Sequence, residues 1–330
     1  MKIVIDDKIP YIRGEAEKLG ETAYFRGADI TNDKLLDADA LIIRTRTKVD
    51  ENLLKNTNVK FVGTATIGYD HIDTDYLEKN HIAWTNCPGC NAASVAQYVE
   101  NALLAMAKNP DETVVFGIVG YGNVGHAVEK NLKPYGVKIL KVDPFLGYDD
   151  DLSEADIVSF HTPLTHDGPH PTYHLCDADY LSKMKHGVMI INAARGGVVD
   201  ENALLHALKS GHVSDCVIDT WENEPHVNRE LLEAACIATP HIAGYSADGK
   251  ANATRMVLEK MAKNLDETVD FCKILPPGLP ADFAYYHPDE TNEKLRLYDP
   301  RKDSEMLKKN AEDFEKLRGN YGLRREKSGA

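Results

Sequence analysis

Short apolar runs alternate with longer amphipathic stretches from the first residues onward. Residues 2–6, 40–43 (Ala-Leu-Ile-Ile) and 60–63 (Lys-Phe-Val-Gly) read as short buried strands with helical stretches between them. Strands alternating with helices mark an α/β unit with a parallel sheet. A helix is predicted from a cap at Asn91 to about Lys108. Val95, Val99, Ala102, Leu103 and Met106 recur there at helical spacing, and Asn109-Pro-Asp111 supplies a stop.

The rhythm then restarts. Thr113-Val-Val-Phe-Gly-Ile-Val119 predicts a strand, residues 123–133 a helix and residues 137–142 the next strand. Further strands are expected at 156–160, 188–191, 215–218 and 236–238, separated by helices. This is the pattern of a doubly wound nucleotide-binding domain. A helix is expected from about Ala247 to Phe271, and Pro276-Pro-Gly-Leu-Pro280 breaks the pattern. Beyond it, residues 303–318 predict a helix with a thin apolar stripe of Met306, Leu307, Phe314 and Leu317. So thin a stripe is expected to pack on another subunit. No internal repeat or low-complexity segment is present.

The length of 330 residues allows two or three domains with real cores. A formal charge of -14 argues against nucleic acid as a partner, because phosphate backbones need clustered Lys and Arg. It leaves room for a small anionic substrate, since a few local cations can dominate a cleft. The N-terminal Met1-Lys-Ile-Val-Ile-Asp-Asp7 has too short an apolar run for a signal peptide, and no apolar run approaches a membrane span. Six scattered cysteines do not suggest a disulfide framework. The expectation is a cytoplasmic protein without nucleic-acid or membrane partners.

Candidate chemistry begins at Gly120-Tyr-Gly-Asn-Val-Gly125, which follows a predicted strand and opens a predicted helix. Gly120 permits a tight turn, Gly122 lets backbone approach a pyrophosphate, and Gly125 lets helix and sheet pack closely. Asp143 ends the following strand, where a carboxylate accepts the ribose hydroxyls and repels a 2′-phosphate. No arginine follows it in Pro144-Phe-Leu-Gly147, so NAD is favoured over NADP.

Three polar residues then stand in separate motifs: Arg195 in Asn192-Ala-Ala-Arg-Gly196, Glu224 in Trp221-Glu-Asn-Glu-Pro225, and His241 in Thr239-Pro-His-Ile-Ala-Gly-Tyr245. Each follows a predicted strand of the nucleotide domain, and ligand chemistry in open α/β sheets lies at the carboxyl ends of strands. An arginine offers a planar fork to a carboxylate. A histidine exchanges a proton near neutral pH, and an acid beside it favours the imidazolium and fixes the tautomer. Singly, each reads as a surface or helix-entry residue. Together, after a dinucleotide fingerprint, they are the parts needed to oxidise a hydroxy acid.

The fingerprint, Asn192-x-x-Arg-Gly196, Glu224-Pro225 and Pro240-His-Ile-Ala-Gly244 resemble the D-isomer-specific 2-hydroxyacid dehydrogenases. Further matches are Phe61-Val-Gly-Thr-Ala-Thr66, Pro88-Gly-Cys-Asn91, Phe160-His-Thr-Pro-Leu164, Asp167-Gly-Pro169, Tyr298-Asp-Pro-Arg301 and Phe314-Glu-Lys-Leu-Arg318 with Asn320-Tyr321. The resemblance covers nearly the whole chain. It implies catalytic roles for Arg195 and Glu224 and a proton-carrying role for His241. It implies NAD contacts at Asn123, Val124, Asp143, Thr162, Ala193, Asp219 and Gly244 beside the three glycines. Thr45, Thr66 and Tyr245 are expected to touch a phosphorylated hydroxy-acid substrate. The implied fold is a Rossmann domain (residues 91–246) inserted in a smaller flavodoxin-like substrate domain (residues 1–90 and 247–275). A C-terminal dimerisation segment (residues 276–330) makes the expected assembly a homodimer.

The rivals are another substrate of the family, such as 3-phosphoglycerate, and a non-enzymatic NADH-sensing protein. The tail from Pro276 and the Asp167-Gly-Pro169 loop speak against the first. The complete set of Arg195, Glu224 and His241 speaks against the second. Arg44 and Arg46 flank Thr45 and read either as a solvated surface pair or as a cation for a substrate phosphate, with Arg44 the nearest candidate. Arg324 and Arg325 are weaker candidates that could reach a partner subunit. Cys87-Pro-Gly-Cys90 has redox spacing but reads better as a Pro-Gly hinge. His161, His166, His170 and His174 are dense, yet prolines interrupt them and no paired carboxylate completes a site in the sequence, so no metal is expected.

Overall fold

The computed structural model describes residues 1–106, 111–278 and 292–326. The expected stop at Asn109-Pro110 and the end of the proline-rich break, Leu279-Pro280, lie outside the described residues. The chain divides into two compact units, residues 1–91 with 246–278 and residues 92–245 with the chain from 279 on.

The first unit holds β1 (Lys2–Asp6), β2 (Glu21–Phe25), β3 (Ala40–Ile43), β4 (Phe61–Thr64) and β5 (Ala83–Thr85). They pair in parallel in the order β2-β1-β3-β4-β5. That is the flavodoxin-like order. Ile3, Ile5, Ile42 and Phe61 share one core with Val257, Leu258 and Met261 of the helix Ala247–Asn264. Val4, Leu41, Ile43 and Val62 face the opposite core with Leu35, Leu54 and Leu77. Gly63 is needed on the helix side, because a Cβ there would come within 2.4 Å of Val257 Cγ2. The edge strands β2 and β5 were not predicted. β2 is only half-buried and β5 has three residues, so neither carries an apolar run. The helix expected to reach Phe271 stops at Asn264. The Leu265 amide closes on the Met261 and Ala262 carbonyls, Asp266 turns left-handed at φ 55, and the chain folds back to bury Phe271 and Ile274.

The second unit holds β6 (Val115–Val119), β7 (Lys138–Asp143), β8 (Tyr148–Asp149), β9 (Ile157–Phe160), β10 (Val188–Asn192), β11 (Val213–Ile218) and β12 (Ile237–Ala238). Their order is β12-β11-β10-β9-β6-β7-β8, with only the β7–β8 edge pair antiparallel. The order reverses between β6 and β9, which makes the carboxyl ends of these two strands the switch point of a Rossmann sheet. The helices Ala92–Ala105 and Asn123–Leu132 bring Val95, Val99, Leu103, Val128 and Leu132 onto Phe116 and Ile118.

The tail corrects an expectation. Residues 303–318 do not form one helix: Pro300–Lys309 ends at Asn310, a 3-10 turn spans Ala311–Asp313, and Phe314–Gly319 follows. Nor does the apolar stripe wait for another subunit. Leu307 and Phe314 are buried among Val188, Ile190 and Leu231 of the same chain, and Leu317 packs against them. Met306 alone of the stripe is exposed. Among the described residues, no helix is long and apolar enough to cross a membrane.

Candidate active site

The glycine loop runs from the end of β6 into the helix Asn123–Leu132 at the switch point. Gly120 has φ +90, and a Cβ there would stand 2.8 Å from the backbone at His161 and Thr162, beyond β9. A Cβ on Gly125 would meet the Gly120 carbonyl at 2.5 Å, so the helix lies directly on the loop. Gly122 caps that helix with no side-chain bond, and nothing lies within 4 Å of its Cβ position. Open space before uncapped helix amides is a ready anion site. Asp143 Oδ2 accepts the Tyr121 amide at 2.8 Å, which ties the end of β7 to the loop. Thr162 Oγ1 is buried without a hydrogen-bond partner. Such an orphaned group calls for a ligand. The donors, the open glycine and the carboxylate therefore fit a dinucleotide.

Glu224 and His241 meet beyond β11 and β12. His241 Nδ1 donates to Glu224, 2.9 Å from each carboxylate oxygen, and this leaves Nε2 as the ring nitrogen for substrate. The Trp221 amide also donates to Glu224 Oε1, at 3.0 Å. Burial pushes the Glu224 carboxyl up, but His241, the Trp221 amide and Arg318 together hold it below its ordinary range. His241 itself has φ 56, a left-handed conformation that a β-carbon disfavours. Its backbone is tied down: the His241 amide bonds the Asp219 carbonyl, and the Asp219 carboxylate accepts the Thr239 hydroxyl and the Ile242 and Ala243 amides. Asp219, expected at NAD, thus spends its carboxylate on the loop that carries the histidine. Gly244 and Tyr245 end this loop, both half-buried.

Arg195 stands on the turn after β10. The Asn192 side chain folds that turn, accepting the Ala194 amide at 3.2 Å and donating to the Arg195 carbonyl at 3.1 Å. Ala193 is half-buried within it. Gly196 is obligatory, because a Cβ would lie 1.8 Å from the Trp221 carbonyl oxygen. The turn bearing Arg195 therefore lies against the segment leading to Glu224. Arg195 Nη1 donates to the Ala194 carbonyl at 2.8 Å.

The remaining candidates belong to the first unit. Arg44 is paired: Nε and Nη2 bond Asp6, at 3.0 and 3.3 Å, and Asp6 is fully buried while Arg44 remains 28% exposed. Thr45 is exposed. Thr66 shares its hydroxyl with Thr64 at 2.6 Å and donates to the Gly68 carbonyl at 2.9 Å.

Arg324 does not need a partner subunit. It is buried in its own unit, where its guanidinium donates to the Ile242, Ala243 and Tyr245 carbonyls. Arg318, named in the sequence only within a matching motif, lies at Glu224. No local signal marks either arginine, since their partners are distant in sequence.

The histidine run also needs a correction. His174 does meet paired carboxylates, with Nε2 3.0 Å from Glu222 Oε1 and Nδ1 3.5 Å from Asp200 Oδ2. The three side chains could offer ligand atoms within 4.8 Å of one another. Their own bonds already account for them: Asp200 caps the helix Glu201–Lys209, and Glu222 accepts the Glu201 amide. His161 is pushed down to about 3 by burial and shares Nε2 with Ser159. Cys87 donates to the Thr64 and Ala253 carbonyls, and burial raises its thiol far above the ordinary range.

Residues 100–243 match the family model described as the D-isomer specific 2-hydroxyacid dehydrogenase, NAD binding domain. The chain is 47% identical to the erythronate-4-phosphate dehydrogenase of Bacteroides thetaiotaomicron, over 99% of this chain and 97% of the relative. It is 42% identical to the enzyme of the same name from Escherichia coli, over 99% and 92%. Among solved structures, D-lactate dehydrogenase from Aquifex aeolicus complexed with NAD and lactic acid superposes with a TM-score of 0.65 at 25% identity, covering 81% of this chain and 96% of that one. A glyoxylate reductase from Paecilomyces thermophila gives 0.68 at 25% identity, covering 82% and 97%. The glycine loop, the NAD-binding family model and the likeness to the NAD-complexed dehydrogenase agree on NAD as the cofactor.

Proposed function

The chain belongs to the family of erythronate-4-phosphate dehydrogenases, within the D-isomer-specific 2-hydroxyacid dehydrogenases, and from that premise we propose that it oxidises 4-phospho-D-erythronate to 2-oxo-3-hydroxy-4-phosphobutanoate, as a step of pyridoxal 5'-phosphate biosynthesis. The observation that carries the reading is the His241–Glu224 pair, bonded at 2.9 Å in the same unit as the glycine loop.

Oxidation of a secondary alcohol removes one proton from oxygen and one hydride from carbon. NAD, when bound, supplies the hydride acceptor. Gly122, Asn123 and Val124 would hold its pyrophosphate on the loop that Gly120 and Gly125 shape, Asp143 would bind its ribose, and Thr162, Ala193 and Gly244 would complete its contacts, while Asp219, assigned to NAD by the resemblance, would act through the loop that its carboxylate holds. Arg195 orients the substrate by its carboxylate. His241 Nε2 takes the hydroxyl proton, and Glu224 at Nδ1 fixes the tautomer and stabilises the imidazolium as it forms. In the reverse direction the imidazolium returns the proton. By the resemblance, Thr45, Thr66 and Tyr245 are the residues assigned to the remainder of the substrate, and Arg44, which keeps an exposed edge, is the candidate cation for its phosphate. A cytoplasmic homodimer belongs to the same reading, on the strength of the resemblance rather than of the tail's apolar stripe.

The test is NADH formation from a panel of hydroxy acids, with NAD and NADP in parallel. 4-Phospho-D-erythronate with NAD is expected to give the highest kcat/KM. Preference for glycerate-3-phosphate or lactate overturns the substrate, and absence of turnover with every acid favours an NADH-sensing protein.

A further inference from the structure

The proposed chemistry uses Glu224 and His241 and does not itself require a cation behind the acid. The structure has one. Arg318, in the helix Phe314–Gly319, brings Nη1 to 3.5 Å from Glu224 Oε2 and 3.7 Å from Glu315 Oε1. It also hydrogen-bonds the side chain of Tyr245. Its side chain is 24% exposed, and its Nε is buried without a partner. Burying a guanidinium with an orphaned N–H is costly. Packing gives no reason for it, because the apolar contacts of this helix run through Phe314 and Leu317.

The same C-terminal segment grips the loop after His241. Arg324 Nη1 and Nη2 bond the carbonyls of Ile242, Tyr245 and Ala243 at 2.9, 3.0 and 2.6 Å, and Nε bonds Gln97 Oε1 at 3.0 Å. The tail therefore fixes the backbone of the catalytic loop through one arginine and faces the catalytic acid with another.

We propose that Arg318 is a positioning residue that holds Glu224 against His241 and offsets part of its charge, and so tunes the acid–base pair. The proposal rests on the reading of His241 as the proton carrier. The charges around the imidazole set the sign. Glu224 meets Nδ1, Asp219 acts on the ring from the preceding strand end, Arg318 lies behind Glu224, and Glu201 and Glu315 lie outside these. Glu224 and Asp219 both favour the imidazolium, which helps the proton transfer but leaves less free base at acidic pH. Arg318 is the cation that contacts Glu224, while Arg195, on the turn packed against the segment leading to Glu224, is the one assigned to the substrate carboxylate. Without Arg318 the imidazolium is favoured more, and the acid limb of the rate profile moves to higher pH.

The experiment compares the full chain with Arg318→Met, Arg318→Gln and Arg318→Lys. It reads NADH formation from 4-phospho-D-erythronate against pH, with thermal unfolding alongside. Met and Gln are expected to move the acid limb up by roughly half to one unit, a three- to tenfold loss of rate on that limb. Lys, which keeps the charge, is expected to restore most of it, and KM for NAD is expected to stay put. If Met does not fold, Gln carries the same reading. Equal loss in all three variants with an unmoved limb makes Arg318 a packing residue only and overturns the proposal. A parent that makes no NADH from this substrate overturns the functional reading and this one with it. An active parent whose limb ignores Arg318 overturns only this one.

Discussion

Asp143 shows how one side chain can serve two ends. Its Oδ2 accepts the Tyr121 amide at 2.8 Å, so the residue proposed for the ribose also shapes the glycine loop. Asp143→Ala is expected to weaken NAD and to relax the preference over NADP, because the carboxylate that repels a 2′-phosphate is gone. Measurement of kcat/KM with both cofactors checks this, and an unchanged ratio means that the ribose acid is another residue. At this scale the sequence was legible where a motif carries its own geometry. Gly120 and Gly125 stand where a Cβ would strike backbone, as their spacing implied. The double duty of Asp219 was not legible. Its partners Thr239, Ile242 and Ala243 are brought to it by the pairing of β11 with β12. The pairing of Arg44 was not legible for the same reason, because its partner Asp6 comes from a different strand.

The helix Glu201–Lys209 carries charge into the ground behind the site. Asp200 caps it, and its first residue, Glu201, is buried. Glu201 Oε1 accepts the Glu222 amide at 2.8 Å while Glu222 Oε1 accepts the Glu201 amide at 3.1 Å. Burial, with the nearby Glu222, Glu224 and Asp200 charges adding to it, pushes the Glu201 carboxyl up to about 7. An acid raised in the folded state binds its proton more tightly there than when unfolded. Stability from this group is therefore complete below about 4.5 and is lost as pH rises through about 7. Glu201→Gln keeps an acceptor for the Glu222 amide and cannot ionise. It is expected to match the parent near pH ~5 and to exceed it near pH ~8, by at most on the order of 3 kcal/mol. Thermal unfolding at both pH values decides, and a difference that does not grow with pH shows that Glu201 is ionised in the fold. Elements with continuous apolar runs, such as β3 and β10, were legible, whereas β2, β5 and β8 were not. β8 has two exposed residues and exists only by pairing with β7. The tail helix ends at Asn310 although Leu307 and Phe314, seven residues apart, would share one face of an unbroken helix, and both lie in one core.

For the whole molecule, the alternation of strands and helices marks an α/β protein with a doubly wound domain, so the fold class could be read from the pattern, whereas the order of the first sheet came from the resemblance. The role of the tail could not. A thin stripe looks orphaned in sequence, yet here it completes a core of its own chain and delivers Arg318 and Arg324 to the catalytic loop. The net charge of -14 bears on the substrate only through such local cations. The central claim is that this fold exists to set His241 against a hydroxy acid beside NAD. One measurement tests it most directly: single-turnover NADH formation from 4-phospho-D-erythronate by the full chain with NAD bound, in the parent and in His241→Ala. The account predicts a loss of about two to four orders of magnitude in rate with NAD affinity near that of the parent. An equal rate in the two proteins would contradict it.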